Sequence, residues 1–112
     1  MNINWDSQFS GAITICDPQG IILDMNDKAA AMYADDGGRA LIGSNALDCH
    51  PSAAREKLSS MLAARQANIY TIDKKGIKKL IYQAPWYQDG QYAGFVELEL
   101  EIPFEMPHFH RK

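Results

Sequence analysis

Apolar and polar positions alternate at both ends of the chain, and helix-like spacing lies between them. Near the start, residues 11–17 form a β-rich run, and a second apolar run occupies residues 21–25. The connection contains Pro18 and Gly20, two residue types that tight turns favour. This pattern predicts a β-hairpin.

Helix signals follow the hairpin directly. Asn26 is a good N-cap for an alanine-rich helix over residues 27–33, which the glycines at 37–38 end. Residues 39–43 fit one further helical turn, and residues 44–50 have no regular pattern. We therefore expect a cluster of short helices.

A longer helix is predicted from Pro51 to about Arg65. Proline suits the first helical position, where its missing N–H group is no loss. Four apolar residues and the final arginine share helical spacing: Ala54, Leu58, Met61, Leu62 and Arg65. One stripe of this helix should therefore face a core.

The last third of the chain has strand-like composition. Strand segments at 68–73, 77–87 and 91–102 are separated by Lys-Lys-Gly at 74–76 and Gln-Asp-Gly at 88–90. Both short connections carry glycine, which tight hairpin turns favour. The pattern predicts three antiparallel strands in a meander.

The composition suits one folded domain. The chain has 112 residues, of which 46% are hydrophobic and 22% charged, so enough apolar surface is available to offset chain entropy. We expect a domain over residues 11–102, an N-terminal segment at 1–10 and a tail at 103–112. The order of elements predicts an α+β fold with helices packed on one face of an antiparallel sheet.

Charge and cysteine content exclude several classes of function. Eleven Lys and Arg against fourteen Asp and Glu give a net charge of -3, so there is no basic field to attract nucleic acid. Two cysteines are too few for a disulfide framework, which favours a reducing compartment. The N-terminus lacks a secretory pattern, and the sequence contains no run of about 20 apolar residues, the length that a membrane-spanning helix requires. We expect a cytoplasmic protein without nucleic-acid or membrane partners.

Three motifs follow one another along the chain. They are Ile-Thr-Ile-Cys-Asp-Pro-Gln-Gly-Ile-Ile-Leu-Asp-Met-Asn-Asp-Lys-Ala-Ala (13–30), Leu-Ile-Gly-Ser-Asn (41–45) and Asp-Gly-Gln-Tyr-Ala-Gly-Phe-Val-Glu (89–97). Their order and spacing resemble a PAS (Per-Arnt-Sim) sensory domain over about residues 10–102. The Asp-Cys-His-Pro segment (48–51) further resembles a subset of stand-alone bacterial PAS modules. The resemblance implies a five-stranded antiparallel sheet with a ligand cavity under its helices.

Strand parity divides the last strand into two faces. Val96, Leu98, Leu100 and Ile102 share one, and Phe95, Glu97, Glu99 and Glu101 share the other. The residues alone favour the apolar face turned inward and the glutamates in water. The resemblance implies the reverse, because in flavin-holding PAS domains the residue two before the family's closing Asp, here Glu99, points into the pocket. In this sequence Glu101-Ile102-Pro103 replaces the closing Asp-Ile-Thr.

The candidate ligand-binding residues follow from that resemblance and from the helical positions that could reach a cavity. They are Thr14, Cys16, Tyr33, His50, Met61, Lys79, Ile81, Gln83, Phe95, Glu97 and Glu99. The more apolar face would then point away from the helices, which is an unusually large patch for a monomer. We therefore expect a homodimer whose interface includes Trp5, Phe9, Ile13, Ile15, Leu80, Tyr82, Trp86, Val96, Leu98 and Leu100.

Metal and cofactor chemistry has little support in the sequence. His50 beside Cys49 could ligate haem or a metal, but a lone Cys-His pair lacks the repeated spacing of a zinc site. The surroundings of Cys49 do not match the Asn-Cys-Arg motif of light-sensing PAS relatives. His108 and His110 lie in a terminal tail. Neither haem nor flavin is expected, no metal site is assigned, and the cofactor stays unknown.

Two functions remain open at this point. The first is a sensory module that binds a small molecule between helices and sheet and signals through a dimer or partner surface. The second is an interaction module with no ligand, whose core is filled at Ile81, Phe95 and Met61. An enzyme is not expected, because the chain has no nucleophile triad, phosphate loop or metal cluster.

Overall fold

The structure is a computed structural model that describes residues 3–49 and 52–112. Its strands are β1 (Ala12–Cys16), β2 (Ile22–Met25), β3 (Asn68–Lys74), β4 (Ile77–Gln88) and β5 (Gln91–Ile102). Its α-helices are α1 (Asp27–Met32) and α2 (Ser52–Ala64), and its short 3-10 segments are Ala34–Asp36, Gly38–Leu41 and Ala46–Cys49. The predicted helix start at Pro51 lies outside the described residues.

The five strands form one antiparallel sheet in the order β2-β1-β5-β4-β3. The N-terminal strand β1 therefore pairs with the C-terminal strand β5, and β5 is the central strand of the sheet. This arrangement confirms the predicted α+β fold with a five-stranded antiparallel sheet. In the described part of the chain, no helix combines the length and the apolar character needed to cross a lipid bilayer.

The hairpins of the meander are as tight as their sequences predict. Lys75 and Gly76 join β3 to β4 with φ angles of 54° and 79°, and Asp89 and Gly90 join β4 to β5 with 53° and 78°. Two successive residues with positive φ are the signature of a type I′ turn, whose twist matches that of the flanking strands. These turns set the register of the three long strands.

The ends of the helices have local causes. Asn26 caps α1 as predicted, since its side chain accepts the backbone N–H of Ala29. Arg65 adopts a left-handed conformation with φ of 56°, so α2 ends at Ala64, one residue earlier than the spacing predicted. The Arg65 N–H still bonds to the carbonyl oxygen of Met61 at 2.9 Å.

Two apolar clusters lie between the sheet and the helices. One joins the start of β1 to β2 and α1, through Ala12, Ile22, Met25 and Ala29. The other joins the end of β1 and the middle of β5 to α2, through Cys16, Met61, Leu62 and Phe95. Because Cys16 and Phe95 belong to the second cluster, the sheet face that also carries Glu97 is turned toward the helices.

Candidate functional site

A cavity of about 460 Å³ lies between the two apolar clusters. A volume of this size is typical of small-molecule sites. Its sheet wall is formed by Thr14, Cys16, Ile22, Gln83, Phe95, Val96 and Glu97. Its helical wall is formed by Tyr33, Asp36, Leu41, Ala46, Leu58 and Met61. Most of these side chains are apolar, and the polar ones are few.

A row of polar side chains crosses the sheet at one level of the cavity. The register places Asn68 opposite Gln83, Gln83 opposite Glu97, and Glu97 opposite Thr14. The Asn68 amide Nδ2 donates to Gln83 Oε1 at 3.0 Å, and Gln83 Nε2 donates to Glu97 Oε1 at 3.3 Å. These bonds hold the carboxylate of Glu97 in one orientation at the cavity wall.

Lys79 and Glu99 form an ion pair beside the cavity. Lys79 Nζ donates to Glu99 Oε1 at 3.2 Å, and the side chain of Glu99 is only 14% exposed. Removing an acid from water is costly unless a cation compensates it, and Lys79 does so here. The two residues share the cavity's face of the sheet, but the cavity itself ends short of them.

Tyr33 brings a phenol from the end of α1 to the cavity wall. Burial raises the pKa of Tyr33 above its ordinary value, the negative charges of Glu97 and Glu99 raise it further, and a hydrogen bond with Thr14 opposes the shift. Burial and the same two glutamates also raise the pKa of Tyr70 on β3. Both phenols therefore stay protonated at neutral pH, and Tyr33 lines the cavity in its neutral form.

Cys16 contributes a small apolar surface to the same wall. Burial raises the pKa of its thiol, and the charges of Asp17 and Glu97 act in the same direction. A hydrogen bond with the backbone of Phe95 acts against them. The thiol is therefore neutral at physiological pH, when a thiolate would be needed for nucleophilic chemistry.

Most of the predicted ligand-binding residues come together in the structure. The cavity is lined by seven of them: Thr14, Cys16, Tyr33, Met61, Gln83, Phe95 and Glu97. Lys79, Ile81 and Glu99 lie next to it on the same sheet face, and Ile81 is buried. His50 lies outside the described residues. The residues alone favoured an arrangement with the glutamates on the solvent face. The structure instead places Glu97 and Glu99 on the face turned toward the helices.

Several residues of the site were missed by sequence reasoning. Asn68 and Tyr70 could have been found, because the two-residue turn at 75–76 sets Lys74 opposite Ile77, and counting back pairs Asn68 with Gln83. The other missed residues of the cavity are Ile22, Asp36, Leu41, Ala46, Leu58 and Val96. Leu58 belongs to the apolar stripe that the spacing predicted to face a core, whereas no local pattern points to Asp36 or Ala46. Asp36, Leu41 and Ala46 reach the cavity through the packing of the helical layer, and Ile22 reaches it from β2.

The opposite face of the sheet is partly covered by the N-terminal segment. A Cβ atom at Gly11 would overlap Leu100 Cδ2 and would lie 2.9 Å from Phe9 Cε2, so Phe9 and Leu100 meet over this glycine. Ile13 is buried, whereas Tyr82 is 40% exposed and Trp5 is 67% exposed. The other predicted interface residues are half-buried: Ile15, Leu80, Trp86, Val96, Leu98 and Leu100. We name all ten predicted interface residues the outer sheet face; Val96 among them also borders the cavity.

The chemistry of the described side chains can be stated in simple terms. Across residues 3–49 and 52–112, no group of three or more His, Cys, Asp or Glu side chains is placed to hold a metal ion. The cavity instead offers an oriented carboxylate, a phenol, an amide and a hydroxyl group among apolar walls. Such a site can bind a small molecule and orient it.

Comparison with known proteins identifies the fold. No protein-family model matches the chain, and no curated protein is similar in sequence. A C-terminal domain from Streptococcus mutans has a TM-score of 0.67 at 19% identity, covering 85% of this chain and 78% of that one. The PAS domain of an HTR-like protein from Haloarcula marismortui has a TM-score of 0.62 at 13% identity, covering 88% and 86%.

A third similar structure is a sensory box sensor histidine kinase from Vibrio cholerae. Its TM-score is 0.60 at 16% identity, and the match covers 87% of this chain and 86% of that one. At sequence identities this low, structural similarity shows the fold alone. The chain has the PAS fold, as its three motifs predicted.

Proposed function

We propose that this chain is a sensory module that binds a small molecule between its helices and its sheet. The observation that carries the proposal is the cavity of about 460 Å³ with the oriented row Gln83, Glu97 and Thr14 on its wall. The PAS fold, shared with a sensor histidine kinase, supports the signalling role. A cytoplasmic location and the lack of catalytic activity are part of the same proposal.

Occupancy of the cavity would be reported through the sheet. Successive residues of a strand point to opposite faces, so Glu97 in the cavity is flanked by Val96 and by Leu98 on the outer sheet face. A ligand that binds one arrangement of β4 and β5 more tightly raises the population of that arrangement. The change then reaches any partner of the outer sheet face.

Blocking the cavity is expected to abolish binding of a small uncharged probe. Leu58 lies on the helical wall, and Leu58→Trp would fill the space in front of Met61 and Phe95. Prodan, an uncharged fluorophore that brightens in apolar surroundings, should bind the wild-type chain. Its affinity should fall by about tenfold or more in the variant, because the apolar walls are no longer accessible.

Lys57→Trp is the matched control, since Lys57 precedes Leu58 on α2 and its side chain is exposed. This control should bind prodan like the wild type. Ala46→Phe blocks the cavity from another element and serves if Leu58→Trp does not fold. Equal binding to blocked and control variants, or no binding to the wild type, would contradict a ligand cavity and favour the filled-core interaction module.

We further propose that two copies associate through the outer sheet face. Tyr82 lies near the centre of this face and is 40% exposed. It pairs with Leu98 on one neighbouring strand and with Ile69 on the other. Ile69 is itself 53% exposed, so the apolar surface extends beyond the residues that the sequence indicated. A second copy would remove this surface from water, which is the main favourable term in association.

Light scattering should therefore give the mass of a dimer for the wild-type chain. Tyr82→Lys places a charge in the interface and should raise the dissociation constant by about tenfold or more. Tyr87→Lys is the control on the same strand, because Tyr87 is exposed near the turn and its ring faces Tyr92. A monomeric wild type, or an equal effect of both substitutions, would rule out this interface.

A further inference from the structure

Strand β3 forms an uncovered edge of the sheet. Among the described strands it pairs with β4 alone. The other edge strand, β2, has only four residues, and the segment at 43–46 runs along it. There the Ile22 N–H donates to the carbonyl oxygen of Ser44 at 2.9 Å, and the Gly43 N–H donates to that of Ile22 at 2.8 Å. In the described part of the chain, no segment runs along the seven residues of β3 in this way.

The sequence of β3 lacks the features that usually protect a sheet edge. Natural edge strands carry charges, prolines or bulges that prevent pairing with another chain. Residues 68–72 contain neither a charge nor a proline, and their register with β4 is regular. Ile69, Tyr70 and Ile72 are 53%, 42% and 42% exposed. The edge of β3 can therefore accept a further strand.

The two-residue turn after β3 decides which backbone groups point outward. It pairs Lys74 with Ile77, so the N–H and C=O groups of Lys74 point toward β4. The direction of these groups alternates from residue to residue along an antiparallel strand. The backbone groups of Ile69, Thr71 and Asp73 therefore point away from β4, toward the position that a further strand would occupy.

The sequence of β3 is complementary to itself about Thr71. A second, antiparallel copy centred there would pair with all seven residues of the strand. Ile69 would lie opposite Asp73, and each pair of outward-facing residues would exchange two backbone hydrogen bonds. Tyr70 would lie opposite Ile72 at the closer, non-hydrogen-bonded positions, where aromatic and β-branched side chains stabilise a sheet.

The charges favour the same register. Lys74 would lie opposite the neutral amide of Asn68, so that no two like charges meet. Centring the pair on Asp73 would set two carboxylates against each other, which destabilises a sheet. Centring it on Tyr70 or on Ile72 would leave two residues of each strand unpaired. The register about Thr71 is therefore the one that pairs the whole strand without repulsion.

We propose that two copies of this chain pair edge to edge through β3, antiparallel and centred on Thr71, so that their sheets become continuous. The pairing satisfies the outward backbone groups of both edges and brings Tyr70 of each copy against Ile72 of the other. This interface is separate from the outer sheet face and does not depend on a ligand. At high concentration it joins dimers that form through the outer sheet face.

A crosslink that depends on the register tests the pairing. Thr71→Cys places two thiols on residues whose Cα atoms lie about 5.5 Å apart, within the range of a disulfide. Asp73→Cys is the matched control, because the two copies of residue 73 would lie roughly 13 Å apart. After oxidation with glutathione disulfide, non-reducing gel electrophoresis should show a covalent dimer for Thr71→Cys. Asp73→Cys should show only the background that the native cysteines give in the wild type.

Thr71→Pro tests the backbone bonds, because it removes an outward N–H group at an edge position that tolerates proline. Thr71→Ala is its control, since it keeps the N–H group. Both are made in the Tyr82→Lys chain, in which association through the outer sheet face is weakened. This chain should still dimerise at up to about 1 mM in sedimentation equilibrium. Thr71→Pro should raise the dissociation constant by about tenfold or more, and Thr71→Ala should raise it less, because only proline removes hydrogen bonds.

Three results would overturn the edge pairing. They are a Tyr82→Lys chain that stays monomeric, a crosslink in Asp73→Cys as strong as that in Thr71→Cys, and equal effects of Thr71→Pro and Thr71→Ala. An edge that accepts only a strand of another protein would give the first result. Circular dichroism establishes that each variant is folded, and the crosslinking comparison decides alone if Thr71→Pro does not fold.

Discussion

Replacing Gly94 by alanine is expected to destabilise the fold by about 3 kcal/mol or more. Gly94 has a φ of 125°, a conformation that residues with a Cβ atom rarely adopt. A Cβ atom there would also overlap the carbonyl oxygen of Cys16 and lie 2.8 Å from the Cα atom of Asp17. These neighbours are backbone atoms, so the end of β1 would have to move away from β5.

Gly90→Ala is the matched control for this prediction. Gly90 lies in the same hairpin with a φ of 78°, but nothing lies within 4 Å of the Cβ position. Its replacement should cost only the left-handed backbone energy, about 1–2 kcal/mol. Urea unfolding followed by circular dichroism measures both losses, and equal values for the two variants would show that the close approach at Cys16 contributes nothing.

This glycine gives a physical reason for part of the motif at 89–97. Asp89 and Gly90 form the turn, and Gly94 allows β1 to pass close beside β5. The carbonyl oxygen of Cys16 that approaches Gly94 also accepts the indole N–H of Trp86 at 3.4 Å. The motif therefore sets the contact between β1 and β5, and that contact places Cys16 and Phe95 on the cavity wall.

The elements of the fold could be predicted because their signals are local. The turns at Lys75-Gly76 and Asp89-Gly90 need positive φ angles, and the Asn26 cap needs only the next three residues. Which face of the sheet points toward the helices could not be derived from hydrophobicity. The apolar side chains of β5 are mostly half-buried on the outer sheet face, where Phe9 covers Leu100, while Glu97 faces the helices. The family resemblance implied the observed orientation.

The helical wall of the cavity was predicted at Tyr33 and Met61 but not at Ala46, whose position depends on a long-range backbone contact. Residues 43–46 run along the start of β2, and Ile21 forms an isolated bridge with Asn45. The Gly43 N–H donates to the carbonyl oxygen of Ile22 at 2.8 Å, and the Ala46 N–H donates to that of Gly20 at 2.8 Å. Backbone pairing of this kind has no side-chain signature, so a segment without regular pattern became part of the site.

Replacing Asn26 by alanine is expected to cost about 3 kcal/mol of the free energy of unfolding, because one side chain joins three backbone groups. Asn26 is only 4% exposed. Its Oδ1 atom accepts the N–H groups of Ile13 and Ala29, both at 3.0 Å. Its Nδ2 atom donates to the carbonyl oxygen of Gly11 at 2.9 Å. The residue therefore caps α1 and fastens it to β1 at the same time.

Asn26→Asp separates these contributions, because it keeps the two acceptor contacts and loses the donation to Gly11. We expect its loss, measured by urea unfolding at neutral pH, to fall between those of the wild type and Asn26→Ala. The backbone N–H of Asn26 donates to the carbonyl oxygen of Ile13 at 3.1 Å in every variant, so β1 and the cap residue stay joined by one bond. A helix cap alone contributes about 1 kcal/mol. If Asn26→Ala loses no more than this amount, the bonds to Ile13 and Gly11 add no net stability, because water satisfies both groups in the variant.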